Sequence, residues 1–448
     1  MARTITRDPS SDGRGPDPRR PGALVVFSER TPMLLPVALA DGGAVLGRDN
    51  VDDERVSRQH VRIARDDGGR WTVTDLDSRN GTFVGGRELR GGIEVAPPCV
   101  IRYGNTLALL ADDVTPFEGA GVEHGDAGVI GPRLAAALER VRRAAARSES
   151  LLIRGESGTG KEAAARAFHA AGAHAGGAFV AVNCAAIPQG LAERLLFGAV
   201  KGAYSGAGDD AEGYLQAAAG GVLFLDEIGE LDPAVQGKLL RVLETREVLP
   251  LGASRARKVD VRFCFATLRN LRGAGGADEF RPDLYFRIAA TQVVLPALRD
   301  RAEEIPWLID WALGRTESRP QAHVRMVEAC LMRPWPGNVR ELLAAIRQAA
   351  EEAALAGSPV VRPEHLDGAA GQPAGQAAPA SAPATPPPPA TAPALARDSR
   401  AAADELTREV LEQAIAEHRG NLSAVARALG VHRSQLYRAL DQFGLRGK

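Results

Sequence analysis

The stretch "GESGTGKE", Gly155 to Glu162, sets three glycines and a lysine between the apolar run "SLLIRG" and the helical "EAAARAFHAAG". Glycines at 155, 158 and 160 let backbone N–H groups turn inward, and the helix N-terminus that follows adds its dipole. Lys161 supplies a mobile positive charge, so the chemistry is that of a loop gripping nucleotide phosphates. Glu162 stands where the generic motif has a hydroxyl that binds magnesium. A second apolar strand, "GVLFLDEIGEL", ends in Asp226 and Glu227 and so brings two carboxylates to a sheet edge. Asp226 is expected to hold Mg2+ through water, and Glu227 to polarise the water that attacks a phosphate.

Two further stretches carry chemistry. In "KGAYSGA", Lys201 to Ala207, a lone aromatic, Tyr204, stands among very small residues; this is either a mobile turn or a loop tip that touches something. From Arg419 onward Arg427, Arg433, Arg438, Arg446 and Lys448 face only Asp441, a basic patch hidden by the overall formal charge of -1.

These residues need scaffolds, and a chain of 448 residues has room for about two to four domains. Residues 1–22 have the Pro, Gly, Arg and Asp content of a disordered arm. Over 23–111, short runs such as "LVVF", "HVRIA" and "RWTVTDL" between glycine and asparagine turns predict an all-β sandwich. Over 128–368, apolar strands alternate with helical stretches, the pattern of an α/β domain with a mainly parallel sheet. Residues 369–402 are an Ala/Pro-rich linker, and 403–448 form a small helical module. Cys99, Cys184, Cys264 and Cys330 show no paired spacing and read as small core residues in a reducing compartment. The opening segment has no apolar h-region, and no run of about 18 apolar residues occurs, so a soluble cytoplasmic protein is expected.

The central region resembles the AAA+ ATPase domain of sigma-54-dependent transcription activators, the bacterial enhancer-binding proteins. The signatures stand in order as "GESGTGKE", "LLFGAVKGAYSGA", "GVLFLDEI", "FRPDLYFRI", "LPALRDRAEEI" and "WPGNVREL". Glu162 after the lysine is typical of that family. The resemblance implies that Gly155, Glu156, Ser157, Gly158, Thr159, Gly160, Lys161 and Glu162 bind ATP, and that Asn183 restrains Glu227 until the γ-phosphate is sensed. It implies that Arg281 and Arg287 are fingers reaching a neighbour's ATP, and that Arg340 is a sensor on the lid. Fingers supplied in trans make hydrolysis depend on assembly, and head-to-tail interfaces close into rings, so a hexamer is expected. In the family the small-residue loop reads "GAFTGA" and rises to touch sigma-54; Gly202, Ala203, Tyr204, Ser205, Gly206 and Ala207 occupy it here. Leu268 replaces an asparagine that reports on the γ-phosphate, and Leu195, Ala199 and Val200 replace polar residues at the loop base.

"VLGRDNVDDERVSRQHVRI" followed by "TVTDLDSRNGTFVGG" resembles a forkhead-associated (FHA) domain, a β-sandwich that binds phosphothreonine peptides. Arg48, Ser57, Arg58, Arg79 and Asn80 match the phosphate-binding positions, with His60 and Gly81 shaping the loops, while Gly85 replaces a frequent asparagine. Guanidinium and hydroxyl donors converging on one phosphate suit that role. Such a module implies that a Ser/Thr kinase writes the signal; Thr4, Thr6, Thr385 and Thr391 are candidate marks in the same chain. The end of the chain resembles a Fis-type helix-turn-helix, with Arg433, Ser434, Gln435, Tyr437 and Arg438 as the DNA-facing set.

The expectation is a multidomain chain: an all-β FHA sandwich, an α/β AAA+ ATPase with a helical lid, and an all-α helix-turn-helix. It would bind upstream promoter DNA, form a ring hexamer, and use ATP with Mg2+ to remodel the closed complex of sigma-54 RNA polymerase. Its FHA domain would take a phosphothreonine peptide, and no membrane is involved. Two other readings stay open: an AAA+ DNA-binding regulator that does not engage sigma-54, and a phosphothreonine-binding scaffold with an inactive ATPase.

Overall fold

The computed structural model describes residues 19–373, apart from 41–42, 126–127, 189, 204–208, 270 and 272–279, together with residue 408. Tyr204, Ser205, Gly206 and Ala207, the five DNA-facing residues at 433–438 and the four candidate threonines lie outside the described residues. By its contacts the chain divides into a unit over 1–379 and another over 380–448. Apart from residue 408, the described residues all lie in the first.

Its amino-terminal part is an antiparallel sandwich. A six-stranded sheet runs in the order Thr31–Ala38, Gly22–Ser28, Thr106–Ala111, Val100–Tyr103, Thr82–Val84, Arg87–Glu88. The facing sheet is Ala44–Leu46, Val61–Arg65, Trp71–Asp75, Gly92–Val95. Successive strand residues point to opposite faces. Ala23, Val25, Ala108 and Leu110 therefore enter the sandwich core with Ile63, Trp71 and Val73.

Their alternates, Leu24, Val26, Leu107 and Leu109, are equally apolar and buried, and a bulge after Val25 brings Phe27 to the same side. A strand apolar on both faces needs cover on both. The lid supplies it: Ile305–Leu313, Val324–Leu331 and Asn338–Leu355 close a second core over these residues with Leu308, Ile309, Met326 and Val327. At about 1.5–3 kcal/mol per buried large apolar side chain, the five sandwich residues contribute on the order of 10 kcal/mol before ordering costs. An ion pair fixes the register of this contact. Arg102 donates to Glu328 at 2.7 Å with the side chains only 11% and 4% exposed, and its guanidinium lies 3.7 Å over the Phe83 ring.

The α/β part is a five-stranded parallel sheet, Phe179–Asn183, Val222–Asp226, Arg262–Thr267, Ser150–Arg154, Gln292–Val294, with separate apolar cores on its two faces. Parallel registry matters for the chemistry. It sets Asn183 beside Asp226 and Arg154 beside Thr267, so the carboxyl ends of the strands gather along one edge. All four cysteines are free thiols, three of them buried.

Candidate functional site

The strand Ser150–Arg154 delivers the glycine-rich loop to that edge, and the helix Lys161–Ala170 leaves from it. Gly158 and Gly160 have φ of +77° and +101°, a region that side chains disfavour. At Gly158 a Cβ would also fall 2.2 Å from the carbonyl oxygen of Gly337. Lys161, at the first helical position, is 7% exposed; its Nζ donates to Glu227 Oε1 at 3.0 Å and to Gly155 O at 3.3 Å. The charge expected to meet phosphate is thus held in reserve by a carboxylate.

Asp226 ends its strand, and Glu227 follows with φ of +49°, a conformation unusual for a residue with a side chain. The Glu227 N–H donates to Asp226 Oδ1 at 3.0 Å, and Glu227 Oε2 accepts from the Leu268 N–H at 3.2 Å. Burial raises the Asp226 pKa, opposed by the charge of Lys161 and the bond from Glu227 N–H. Leu268, which lacks the polar side chain found in the family, therefore reaches Glu227 through its backbone. Asn183 lies beside this pair in register, and its side-chain oxygen accepts from the Ala185 N–H at 3.0 Å.

The other residues of the loop divide their attention. Glu162 faces solvent and pairs with Arg166 one turn on, at 2.7 Å. Thr159 Oγ1 donates back to Glu156 O at 2.8 Å, while Ser157 Oγ accepts from Arg340 at 3.1 Å, so the lid arginine does meet the loop. The Glu156 carboxylate is turned to the lid, where it accepts from Arg299 and Asn338. Arg281 stands at the N-cap position of the helix Pro282–Ile288 without a side-chain capping bond and pairs with Asp283 at 2.8 Å; Arg287, on that helix, donates to Leu243 O at 3.3 Å. Both stand on a helix separate from the loop.

Ahead of residues 204–208 in the sequence, Ala199 exchanges backbone bonds with Ala211 at 2.9 and 2.8 Å, and Val200 donates to Leu251 O at 3.0 Å. The base that lacks the family's polar side chains is closed by backbone pairing instead. Gly202 has φ of +80°, and Ala203 packs against Gly252.

At one end of the sandwich the candidate phosphopeptide residues gather. Arg48 donates to Val56 O and Glu54 O, each at 3.0 Å, Arg79 N–H donates to Ser57 Oγ at 3.2 Å, and Asn80 Nδ2 to Arg55 O at 2.7 Å. Buried His60 bridges the Ser57 N–H and Gly81 O, and burial lowers its pKa, so the ring is neutral at pH 7. Arg48, Arg58, Arg79 and Asn80 remain exposed on the rim. A Cβ on Gly47 would fall 1.8 Å from Arg58 O, which is why these loops can close together.

Asn338, Arg299 and Arg301 were absent from the residues the sequence suggests. "WPGNVREL" contains the first of them, but nothing in a local motif says that its partner is Glu156.

Comparison with known proteins agrees with this layout. Family models match the sigma-54 interaction domain over 130–294, the FHA domain over 45–108, the AAA+ ATPase lid domain over 299–383 and the Fis family of bacterial regulatory proteins over 403–443. The hydrogenase transcriptional regulatory protein HoxA of Bradyrhizobium diazoefficiens is 42% identical over 321 residues, 69% of this chain and 63% of that protein. GlrR of Escherichia coli is 43% identical over 235 residues, 51% of this chain and 52% of that one. This chain therefore spans between about half and two thirds of the length of these relatives. Among solved structures, NtrX of Brucella abortus superposes with a TM-score of 0.50 at 29% identity, covering 70% of this chain and 68% of its own. No helix among the described residues is long and apolar enough to cross a membrane. The chain thus joins a sigma-54 interaction domain and an AAA+ ATPase lid to an FHA domain ahead of them and a Fis-family region after them.

Proposed function

We propose that the protein binds upstream promoter DNA through 403–443 and hydrolyses ATP to remodel the closed complex of sigma-54 RNA polymerase. Phosphothreonine recognition by its FHA domain regulates the step. The observation that carries this reading is the Lys161–Glu227 pair at 3.0 Å, set on a phosphate loop and a strand end inside a matched sigma-54 interaction domain. When ATP enters, its phosphates take Lys161 and leave Glu227 free. Glu227 then accepts the proton of the attacking water as its oxygen bonds to the γ-phosphorus and the bridge to the β-phosphate breaks. Asp226 fits a magnesium ion, since it is a part-buried carboxylate whose charge is costly without a cation. Asp226 would hold the ion, which would supply positive charge against the phosphate oxygens.

Arg281 and Arg287 act on a neighbour's nucleotide in a hexameric ring, Asn183 restrains Glu227 before hydrolysis, and Arg340 reports on the nucleotide through Ser157. Gly202 to Ala207 carry the contact with sigma-54. The FHA rim, with Arg48, Ser57, Arg58, Arg79 and Asn80, takes a phosphothreonine peptide, and Arg433, Ser434, Gln435, Tyr437 and Arg438 face the DNA. The core shared by sandwich and lid gives peptide binding a physical route to the ATPase. The test is open-complex formation by sigma-54 polymerase with ATP. Wild type should open the promoter, Glu227→Ala should not, and Ser205→Ala should bind ATP but open poorly; a wild type that hydrolyses ATP without opening defeats the sigma-54 reading.

A further inference from the structure

The phosphate loop is gripped from the lid side by three residues that the reaction does not itself require. Asn338 is fully buried, with φ of +53°, and its Nδ2 donates to Glu156 Oε2 at 3.0 Å, Ser157 O at 2.9 Å and Pro336 O at 3.3 Å. Its Oδ1 accepts from the Leu298 N–H at 2.7 Å. Arg299 makes a two-pronged pair with the same Glu156, at 2.9 and 2.5 Å. Arg301, buried with Glu304, donates to the Thr159 carbonyl at 2.9 Å. Between them Gly158 lies against Gly337, and a Cβ at 158 would fall 2.2 Å from Gly337 O and 3.1 Å from the Arg340 Cβ.

A carboxylate in a phosphate-binding loop repels its ligand unless something neutralises it. Arg299 does so, and holds the Glu156 pKa below the ordinary carboxylate range. Planar guanidinium and carboxylate also fix an angle as well as a distance. Both partners sit at the joint where the lid leaves the sheet domain, so a change in lid angle must either move Ser157 to Thr159 or break this pair.

We infer that Glu156, Arg299 and Asn338 form a latch that couples lid angle to the shape of the phosphate loop, and that Glu156 is a positioning residue acting through the lid. The inference rests on the ATP-binding reading and deepens it. A ligand that tightens the loop also favours one lid angle, and the reverse holds by linkage. Leu298, which Asn338 holds, belongs to the core shared with the sandwich, so the latch is joined to the FHA domain through that core.

The experiment is a double-mutant cycle on the full chain, titrated with a fluorescent ATP analogue: wild type, Glu156→Gln, Arg299→Gln and the double variant. Each single change should weaken binding roughly 5- to 30-fold, and the double should be no weaker than the worse single by more than about twofold. Arg299→Lys, which keeps the charge and loses the fork, should fall between wild type and Arg299→Gln. Unfolding midpoints without nucleotide separate the latch from plain destabilisation, because the latch predicts affinity losses that do not follow the midpoints. Single effects that multiply in the double, or singles that bind as wild type does, overturn the latch. If wild type itself fails to bind the analogue, it is the ATP-binding reading that falls.

Discussion

The two phosphate sites proposed above are built on opposite plans. In the nucleotide site the key cation, Lys161, is 7% exposed, already paired with Glu227, and set in a loop clamped from the lid. On the FHA rim Arg48, Arg58, Arg79 and Asn80 are exposed, and the loops that carry them are tied by bonds to backbone carbonyls and one hydroxyl. The contrast follows from the task. Hydrolysing a phosphate bond needs one water positioned, bulk water excluded, and charge held ready until the ligand arrives. Reading a phosphate on a peptide needs donors at an open surface, where charge-assisted bonds give affinity.

The sharpest way to break this comparison is Glu227→Gln, which keeps the shape of the side chain and removes the charge from the reserve. ATP turnover, followed by phosphate release, should fall about 100- to 1,000-fold, as for loss of a general base. Binding of the ATP analogue should hold or tighten, since Lys161 no longer has a competing carboxylate. Turnover within about tenfold of wild type would remove Glu227 from the chemistry.

Next in size is the seam that makes the two sites one body. Arg102→Met leaves Glu328 buried without its partner, a loss expected to cost about 3–5 kcal/mol in urea unfolding. Replacing both residues by apolar ones should recover most of it, because the shared core then closes without a stranded charge. If the double variant is as unstable as the single, the pair is not what holds the register.

This seam also shows what the sequence made legible and what it did not. The phosphate loop, the Asp226 and Glu227 strand end and the FHA loops are local motifs, so their residues announce their geometry at short range. "LVVF" and "LALL" read equally well as sandwich strands, and only their second apolar face hints at a cover; no local rule says that a lid some 200 residues away supplies it. The latch is hidden for the same reason. Glu156 meets Arg299 across 143 positions and Asn338 across 182, and an ion pair leaves no periodic trace in a sequence. The Leu268 substitution looks like the loss of a sensor, yet its backbone N–H still reaches Glu227.

On the open rim the effect of one residue should be smaller. Arg48→Ala removes one charged donor from an exposed site, and binding of a phosphothreonine peptide should weaken roughly 10- to 100-fold by calorimetry, with ATP binding unchanged. Peptide binding that survives this change places the phosphate elsewhere on the sandwich.

The smallest effect, taken per pH unit, tests the joint between the plans. Glu303 lines a cleft with Phe117 from the FHA side, Arg133 from the first helix of the ATPase domain and Arg299 of the latch. It is 1% exposed, its Oε1 has no hydrogen-bond partner among the described residues, and its Oε2 lies 3.8 Å from Arg133. Burial raises its pKa from 4.5 to about 7, opposed by the charges of Arg133 and Arg301 and assisted by that of Glu304. The folded chain thus holds this proton more tightly than the unfolded chain does. Its stabilising share is complete below the unfolded value and is lost as pH rises through about 7, with no further change above. Over that window stability should fall by no more than about 1.4 kcal/mol per pH unit, and Glu303→Gln, which cannot ionise, should flatten the slope. Urea unfolding across the window reads it directly, and a slope that persists in the glutamine variant assigns the proton to another group.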